Sequence, residues 1–425
     1  MKRFNNMLIN GALGIAAITL ASCATSGKTS KKDDTTKIEN MDDIDNSYLI
    51  LSDSQQKAIH DGNTFAINLF KTQQGMDSKV ISPLSVAYLM GMLANGANGN
   101  TQEEIMNVMH ANGCSIQTLN EAYKSIINMA SRWDKQTTIN IANCIAVNKP
   151  IKLNDDFQKT AGSMYDANIE ELDFASPKAL EYINGWCAKQ TNGMIPKIVD
   201  KLNPDALMVL MNAIYFNGTW DKKFDKSNTK QERFQGYTRD IKRVQMMHQN
   251  DKFYYTDNDD FAAINLPYGN GTYSMTVILP NNGKSTTDIV DKLDAKKLEG
   301  IQTSMEKCIV DLKLPRFSSS TETNLNDPIS KLGAPSIFSA EKADFSNMTN
   351  AALFVSAMIQ KAKIEVSEEG TKAAAVTAGI MTMSALPTAQ PRRVEFHADR
   401  PFIYIITERN TGAIFFMGQY TGPEN

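Results

Sequence analysis

The chain has 425 residues, a formal net charge of −3, 42% hydrophobic residues and 8% aromatics. That balance describes a globular protein with a large core and gives no basic excess that would mark nucleic acid as a partner. No Pro/Gly/Ser linker, internal repeat or composition shift follows the N-terminal stretch, so a single large domain is expected over residues 48–425.

The N-terminus reads separately. Lys2 and Arg3 form a basic start, Met7 to Leu20 is an apolar run, and Leu20-Ala21-Ser22-Cys23 closes it. This tetrapeptide resembles a bacterial lipobox, which implies a signal peptide over 1–22, cleavage before Cys23, and lipid on its sulfur and amino group. Several acyl chains anchor stably where one does not. The apolar run is shorter than the roughly 20 residues needed to span a bilayer. Residues 24–46 are Ser, Thr, Lys, Asp and Asn with almost nothing apolar, so 23–47 is expected to be a disordered tether carrying an exported bacterial lipoprotein at the outer membrane or cell surface. The alternative at this point is a plain secretory signal. Lys32-Asp33-Asp34 within the tether is a weak candidate for a surface-export signal.

Cys114, Cys144, Cys187 and Cys308 are widely spaced with no CxxC, and four unpaired core thiols are expected, because a core of this size needs no covalent staples. With four histidines and no HExxH, neither a metal nor another cofactor is expected.

Residues 54–72 have an amphipathic helical period, with Ala58, Phe65 and Leu69 on one face. Ser82-Pro83 caps and opens a second helix, and Leu84 to Ala94 is apolar all round, which places it inside the core. Thr101-Gln102-Glu103-Glu104 reads as a capping box for a third, and 115–133 as a fourth. Ile139 to Val147 reads as a strand, Asp155 to Tyr165 as a helix, and Ser176-Pro177 opens a helix toward Gln190. Leu207 to Phe216 is an apolar run with Asn212 in its middle, as for a buried strand. Further strands are expected at Phe261 to Pro267, Tyr273 to Leu279, Cys308 to Pro315 and Met358 to Val366. Between them lie short helices, Asp288 to Glu299 and Asn324 to Leu332, and 402–406 with 413–417 forms a hairpin. Helices early and strands late predict an α+β fold with segregated layers.

One segment suits two states. From Thr371 to Leu386 there is no proline, and alternate positions Thr371, Ala373, Ala375, Thr377 and Gly379 are small while Lys372 falls on the opposite face. A central strand requires those properties, yet Gly, Ala and Thr in a row also read as a surface loop.

Several separated segments, in order, resemble the serpin family: Ile81-Ser82-Pro83-Leu84-Ser85, the run Leu210 to Trp220, Val244-Gln245-Met246-Met247, Glu368 to Thr377, and Asp399-Arg400-Pro401-Phe402 with Phe416-Met417-Gly418. The resemblance covers nearly all of the chain from about Ser54. It implies three β-sheets, about nine helices and an exposed reactive-centre loop over about 369–392. A serine protease attacks such a loop and is trapped as an acyl-enzyme when the cleaved loop enters the main sheet, an insertion long attributed to serpins. The hinge is then Glu368, Glu369, Gly370, Thr371, Ala373 and Ala375.

Counted from Gly370, the family pattern puts the reactive bond at Ser384-Ala385, with Met383-Ser384 and Met381 as alternates, because the loop before Pro401 is several residues longer than usual. As a strand, Thr371 to Ser384 spans about 46 Å. Deacylation takes on the order of a millisecond to a second, so insertion must be faster. Uncharged neighbours Ile380, Met381, Met383 and Leu386 point to elastase-, subtilisin- or chymotrypsin-like targets, or to papain-like cysteine proteases. A trypsin-like target would need Arg392 or Arg393, too near the sheet. The resemblance also assigns Ser82, Ser85 and Asn212 to the point where the sheet opens, with Gln360 where the family usually has histidine and Trp220 beneath the loop's entry.

Such a chain is no enzyme. No GxSxG occurs, and the Ser-x-x-Lys spacings at Ser54, Ser304 and Ser339 lack the accompanying motifs of a hydrolase. A monomer with a protease and a membrane as partners is expected. The open alternative is a non-inhibitory serpin acting as protease substrate, carrier or surface-binding lipoprotein.

Overall fold

The computed structural model describes residues 51–371, apart from 131, 133 and 238–240, and residues 391–423. The helices are α1 (Asp53–Lys71), α2 (Pro83–Gly96), α3 (Gly99–Val108), α4 (Ile116–Ala130), α5 (Asp155–Tyr165), α6 (Pro177–Gln190), α7 (Thr286–Lys292), α8 (Ala295–Thr303) and α9 (Asn326–Leu332). The strands are β1 (Lys79–Ile81), β2 (Thr137–Asn148), β3 (Ala167–Leu172), β4 (Met208–Thr219), β5 (Lys230–Gln235), β6 (Ile241–Asp257), β7 (Phe261–Pro267), β8 (Tyr273–Pro280), β9 (Glu306–Pro315), β10 (Phe317–Asn324), β11 (Ala357–Ser367), β12 (Gly370–Thr371), β13 (Arg393–His397), β14 (Phe402–Glu408) and β15 (Ile414–Tyr420).

A six-stranded sheet runs β10-β11-β12-β4-β2-β3, with β11 also pairing directly to β4. It is buried on both faces. Along β4, Met208, Leu210, Ile214 and Phe216 enter the main core, while Val209, Met211, Ala213 and Tyr215 pack in a second cluster with Ile183, Trp186 and Cys187 of α6. Burial on both sides is why this strand reads as an unbroken apolar run.

The other strands form a nine-stranded network, β1-β15-β14-β8-β7-β6-β9-β13, with β5 on β6. Its continuity depends on the 17 residues of β6. The first part pairs with β5, the middle with β9, and the end with β7. Even positions Val244 and Met246 are buried in the first part and odd positions Phe253 and Tyr255 in the last, so the two parts turn opposite faces to the core. The network is therefore two sheet regions joined by one strand, and with the six-stranded sheet these make the three layers expected.

Local differences from the sequence reading have identifiable causes. Helix α3 is capped by Asn98, whose side chain accepts from Gly99 N, and not by Thr101. Thr101 is buried in the first turn, where its hydroxyl accepts from Asp344 N (3.0 Å). The segment expected as one helix over 288–299 is two, because Asp294 stops α7 and caps α8 by accepting from Lys297 N (2.7 Å). Cys144, Cys187 and Cys308 are buried and Cys114 half-buried, all as free thiols. Burial pushes the Cys144 and Cys187 thiols up to about 12, which keeps them protonated.

Candidate functional site: the hinge and the opening of the sheet

β4 and β11 run parallel and pair over Val209–Tyr215 and Ala357–Lys363, with Asn212 opposite Gln360. Beyond these rungs they are separated by β12, where Gly370 and Thr371 pair antiparallel with Thr219 and Gly218 on one side and with Ser367 and Val366 on the other. Two hinge residues are thus already threaded into the sheet.

Gly370 has φ +143°, and a Cβ there would lie 2.1 Å from the Gly218 carbonyl oxygen. Backbone contact of that kind admits no side chain. Thr371 is fully buried and its hydroxyl bonds the Tyr268 hydroxyl at 2.8 Å. Tyr268 stacks on Trp220 with ring centroids 4.3 Å apart. Trp220 in turn donates its indole N–H to Ser367 O (2.9 Å) and its backbone N–H to Glu369 O (3.0 Å). It is core and hinge support at once, as the position under the loop's entry requires.

Two carboxylates fix the turn from β11 to β12. Glu368 is buried and accepts from Arg316 Nε (3.2 Å), Arg316 Nη2 (2.5 Å) and Thr229 Oγ1 (2.6 Å). Burial alone would raise its pKa, but the hydrogen bonds from Arg316 and Thr229 outweigh it and hold the carboxyl below its ordinary value. Glu369 is held lower by hydrogen bonds from Lys223 and Lys226, each at 3.0 Å.

Lower in the sheet, the residues assigned to its opening form one connected chain. Ser82 caps α2. Its N–H donates to Gln360 Oε1 (2.9 Å), its carbonyl accepts from Gln360 Nε2 (2.8 Å), and its hydroxyl donates to Ser85 Oγ (3.0 Å). Gln360 Nε2 also donates to Asn212 Oδ1 (3.1 Å), and Asn212 Nδ2 donates to Asn143 Oδ1 (2.9 Å). All five side chains are at most 2% exposed, so each bond is made away from water. Glutamine satisfies the Ser82 N–H and Asn212 Oδ1, which would otherwise be buried without partners, and adds a second donor to the Ser82 carbonyl already bonded by Val86 N, so a ring is not required at this position.

A family model described as "Serpin (serine protease inhibitor)" matches residues 60–423. The chain belongs to the serpin family. It is 32% identical over 375 residues to leukocyte elastase inhibitor A of Rattus norvegicus, covering 84% of this chain and 97% of that protein. Among solved structures, the thermophilic serpin tengpin in its native state is similar with a TM-score of 0.79 and 27% identity, covering 86% of this chain and 94% of that one. Human thyroxine-binding globulin with its ligand is similar with a TM-score of 0.79 and 26% identity, covering 88% and 100%.

Within this serpin, Ser82, Ser85, Gln360 and Asn212 share one hydrogen-bonded chain, and Trp220 lies against the hinge through Ser367 and Glu369. Ala373, Ala375, Met381, Met383, Ser384, Ala385 and Cys23 lie outside the described residues. Arg392 pairs with Asp257 through two 2.9 Å bonds and Arg393 opens β13 against Ile309, so both belong to the sheet. Sequence reasoning missed Tyr268, Arg316, Thr229 and Asn143. Nothing adjacent to these residues in the chain advertises a partner that lies up to 139 positions away.

Proposed function

We propose that this serpin is an irreversible protease inhibitor, a trapped substrate and not an enzyme. A serine protease of elastase, subtilisin or chymotrypsin type, or a papain-like cysteine protease, cleaves at Ser384-Ala385, with Met383-Ser384 and Met381 as alternates. It is then held as an acyl-enzyme while the loop continues the path begun by β12. The observation that carries this reading is the pairing of Gly370 and Thr371 to both β4 and β11, since a strand already started between them needs only to lengthen. The similarity to an elastase inhibitor favours the same reading. We further propose that Cys23 anchors the monomer by lipid at the outer membrane or cell surface; a Cys23→Ser chain recovered in the membrane fraction would overturn this.

The deciding experiment mixes the protein with subtilisin or pancreatic elastase and resolves the products on denaturing gels. A covalent, SDS-stable complex is the expected result, with mass spectrometry of the trapped species fixing the bond. Complete turnover to cleaved protein without complex would overturn inhibition and leave the non-inhibitory reading, which the resemblance to a thyroxine-binding globulin supports.

A further inference from the structure

The β5–β6 ribbon carries an arrangement that the trapping mechanism does not use. Its antiparallel register sets Arg233 opposite Arg243, with Gln231 opposite Gln245 and Gln235 opposite Ile241 on the same face, and all six are exposed. Like charges directly opposite one another destabilise an antiparallel pair. Among the described residues neither guanidinium has a carboxylate partner. The one acid of β5, Glu232, sits on the other face with Lys313 (3.0 Å) and His248. Among the described residues the ribbon therefore holds two exposed guanidiniums side by side with no carboxylate bonded to either.

Their place in the fold indicates what they meet. Thr229, one residue before β5, bonds the hinge carboxylate of Glu368. Arg233 lies four residues further on, roughly 13 Å along the strand. At the other end of the same strand set, β13 pairs with β9 and β9 with β6, and β13 begins where the described chain resumes after the loop. One anchor of the segment that carries the proposed bait bond, β13, is thus in the same strand set as the ribbon, and the other, the hinge at β12 in the six-stranded sheet, is tied to the start of β5 through Glu368 and Thr229. A protease engaged on that segment comes to the end of the molecule where the arginines are displayed.

We propose that Arg233 and Arg243 form an exosite for the target protease, receiving carboxylates that flank the protease's substrate cleft while the cleft holds the loop. The proposal rests on the inhibitory reading above. Each guanidinium offers a planar fork of donors matched to a carboxylate, the flanking glutamines add neutral donors and acceptors, and Ile241, 56% exposed, adds an apolar contact. Exposed charges at an interface rim act chiefly on the rate of encounter. That suits an inhibitor whose capture step is irreversible, because the encounter rate then decides which protease is captured. Two cations on one rung are too few for a polyanion, which needs an extended basic stripe.

The test is the second-order rate constant of inactivation of two elastase-type proteases with the same primary specificity, one anionic and one cationic. Each is measured with the wild-type chain and with the Arg233→Glu, Arg243→Glu variant, at low and high salt. Wild type should be faster on the anionic enzyme, and the double substitution should slow that reaction about tenfold and flatten its salt dependence. The cationic enzyme should react as fast or faster, and the yield of covalent complex should not change. Arg233→Lys, Arg243→Lys should recover most of the rate, and Arg233→Gln should leave thermal stability equal or higher, since it removes a repulsion. An unchanged rate on the anionic protease, in a variant that still forms the covalent complex, would overturn the exosite alone. So would an equal loss on both proteases, or a loss confined to binding of dextran sulfate or phosphatidylglycerol vesicles. If the wild-type chain forms no covalent complex with either protease, the inhibitory reading falls and the exosite with it.

Discussion

Thr371 is the last hinge residue described, and it is paired on both sides in the sheet. Its full burial and its bond to Tyr268 show the face on which every second residue of a lengthening strand must fit. Thr371→Arg would place an unpaired charge in that space, at a cost of several kcal/mol, whereas Thr371→Ser keeps the hydroxyl. The arginine variant should turn from inhibitor to substrate, with cleaved product exceeding complex by roughly tenfold or more on denaturing gels, and the serine variant should trap normally. Equal trapping by the arginine variant would mean that Thr371 is not an inward position. The neighbouring carboxylates give the hinge a pH dependence whose sign follows from their depressed values. Glu368 and Glu369 titrate in the fold below their ordinary range, so the stability they contribute is present above the unfolded value of about 4.3 and lost as pH falls through the folded values. Hydrogen-exchange protection of the Gly370 and Thr371 amides should decline below about pH 4, ahead of global unfolding. Protection that persists to the global transition would show that the two carboxylates do not hold the turn.

Among the elements, the proposed mechanism makes the closed part of the β4–β11 ladder the barrier to insertion. Gln360 closes it, bonding Ser82 twice and Asn212 once. Gln360→Leu would leave two buried polar groups, the Ser82 N–H and Asn212 Oδ1, without partners, each at a cost of about 1–3 kcal/mol. The native form should melt several degrees lower, while the loop-cleaved form, whose central strands have already parted, should change less. A native melting temperature equal to wild type would remove Gln360 from the gate. Elements of this kind were legible where burial is one-sided or total: α2 and β4 announce themselves because their residues are apolar all round or on both faces. β10, Phe-Ser-Ser-Ser-Thr-Glu-Thr-Asn, was not legible, because an edge strand with one wet face has few apolar positions to show a period. The charged β5 escaped for the same reason. The 17-residue β6 was visible only as the motif Val244 to Met247, since its buried face changes parity midway and breaks the alternation. At the site, the gate and hinge came from a resemblance in sequence, whereas the groups that hold Glu368 and Thr371 are chosen by tertiary packing, which local sequence does not encode.

At the scale of the whole molecule, the proposed insertion is expected to run downhill once the loop is cut. Opening the β4–β11 pair breaks one ladder of backbone hydrogen bonds, and a strand that enters between them forms two, antiparallel to both neighbours as β12 already is. While the loop is intact, its far end is tied to β13, which is fixed on β9, and the strand cannot lengthen without pulling that anchor away. Cleavage at the proposed bond, Ser384-Ala385, removes the tether and leaves the whole of Thr371 to Ser384 on the incoming strand. The small alternate side chains from Thr371 to Gly379 then meet the face that Thr371 occupies. A net gain of one ladder, offset in part by the ordering of the loop, leaves a stabilisation on the order of several kcal/mol. In a chain of this size each kcal/mol moves the melting temperature by about 1–2 °C. Loop-cleaved protein, with its fragments still associated, should therefore melt roughly 5–10 °C above the intact form in differential scanning calorimetry. A transition that stays where it was would mean that the cut loop remains outside, and that β12 is a fixed turn and not the first rung of a strand.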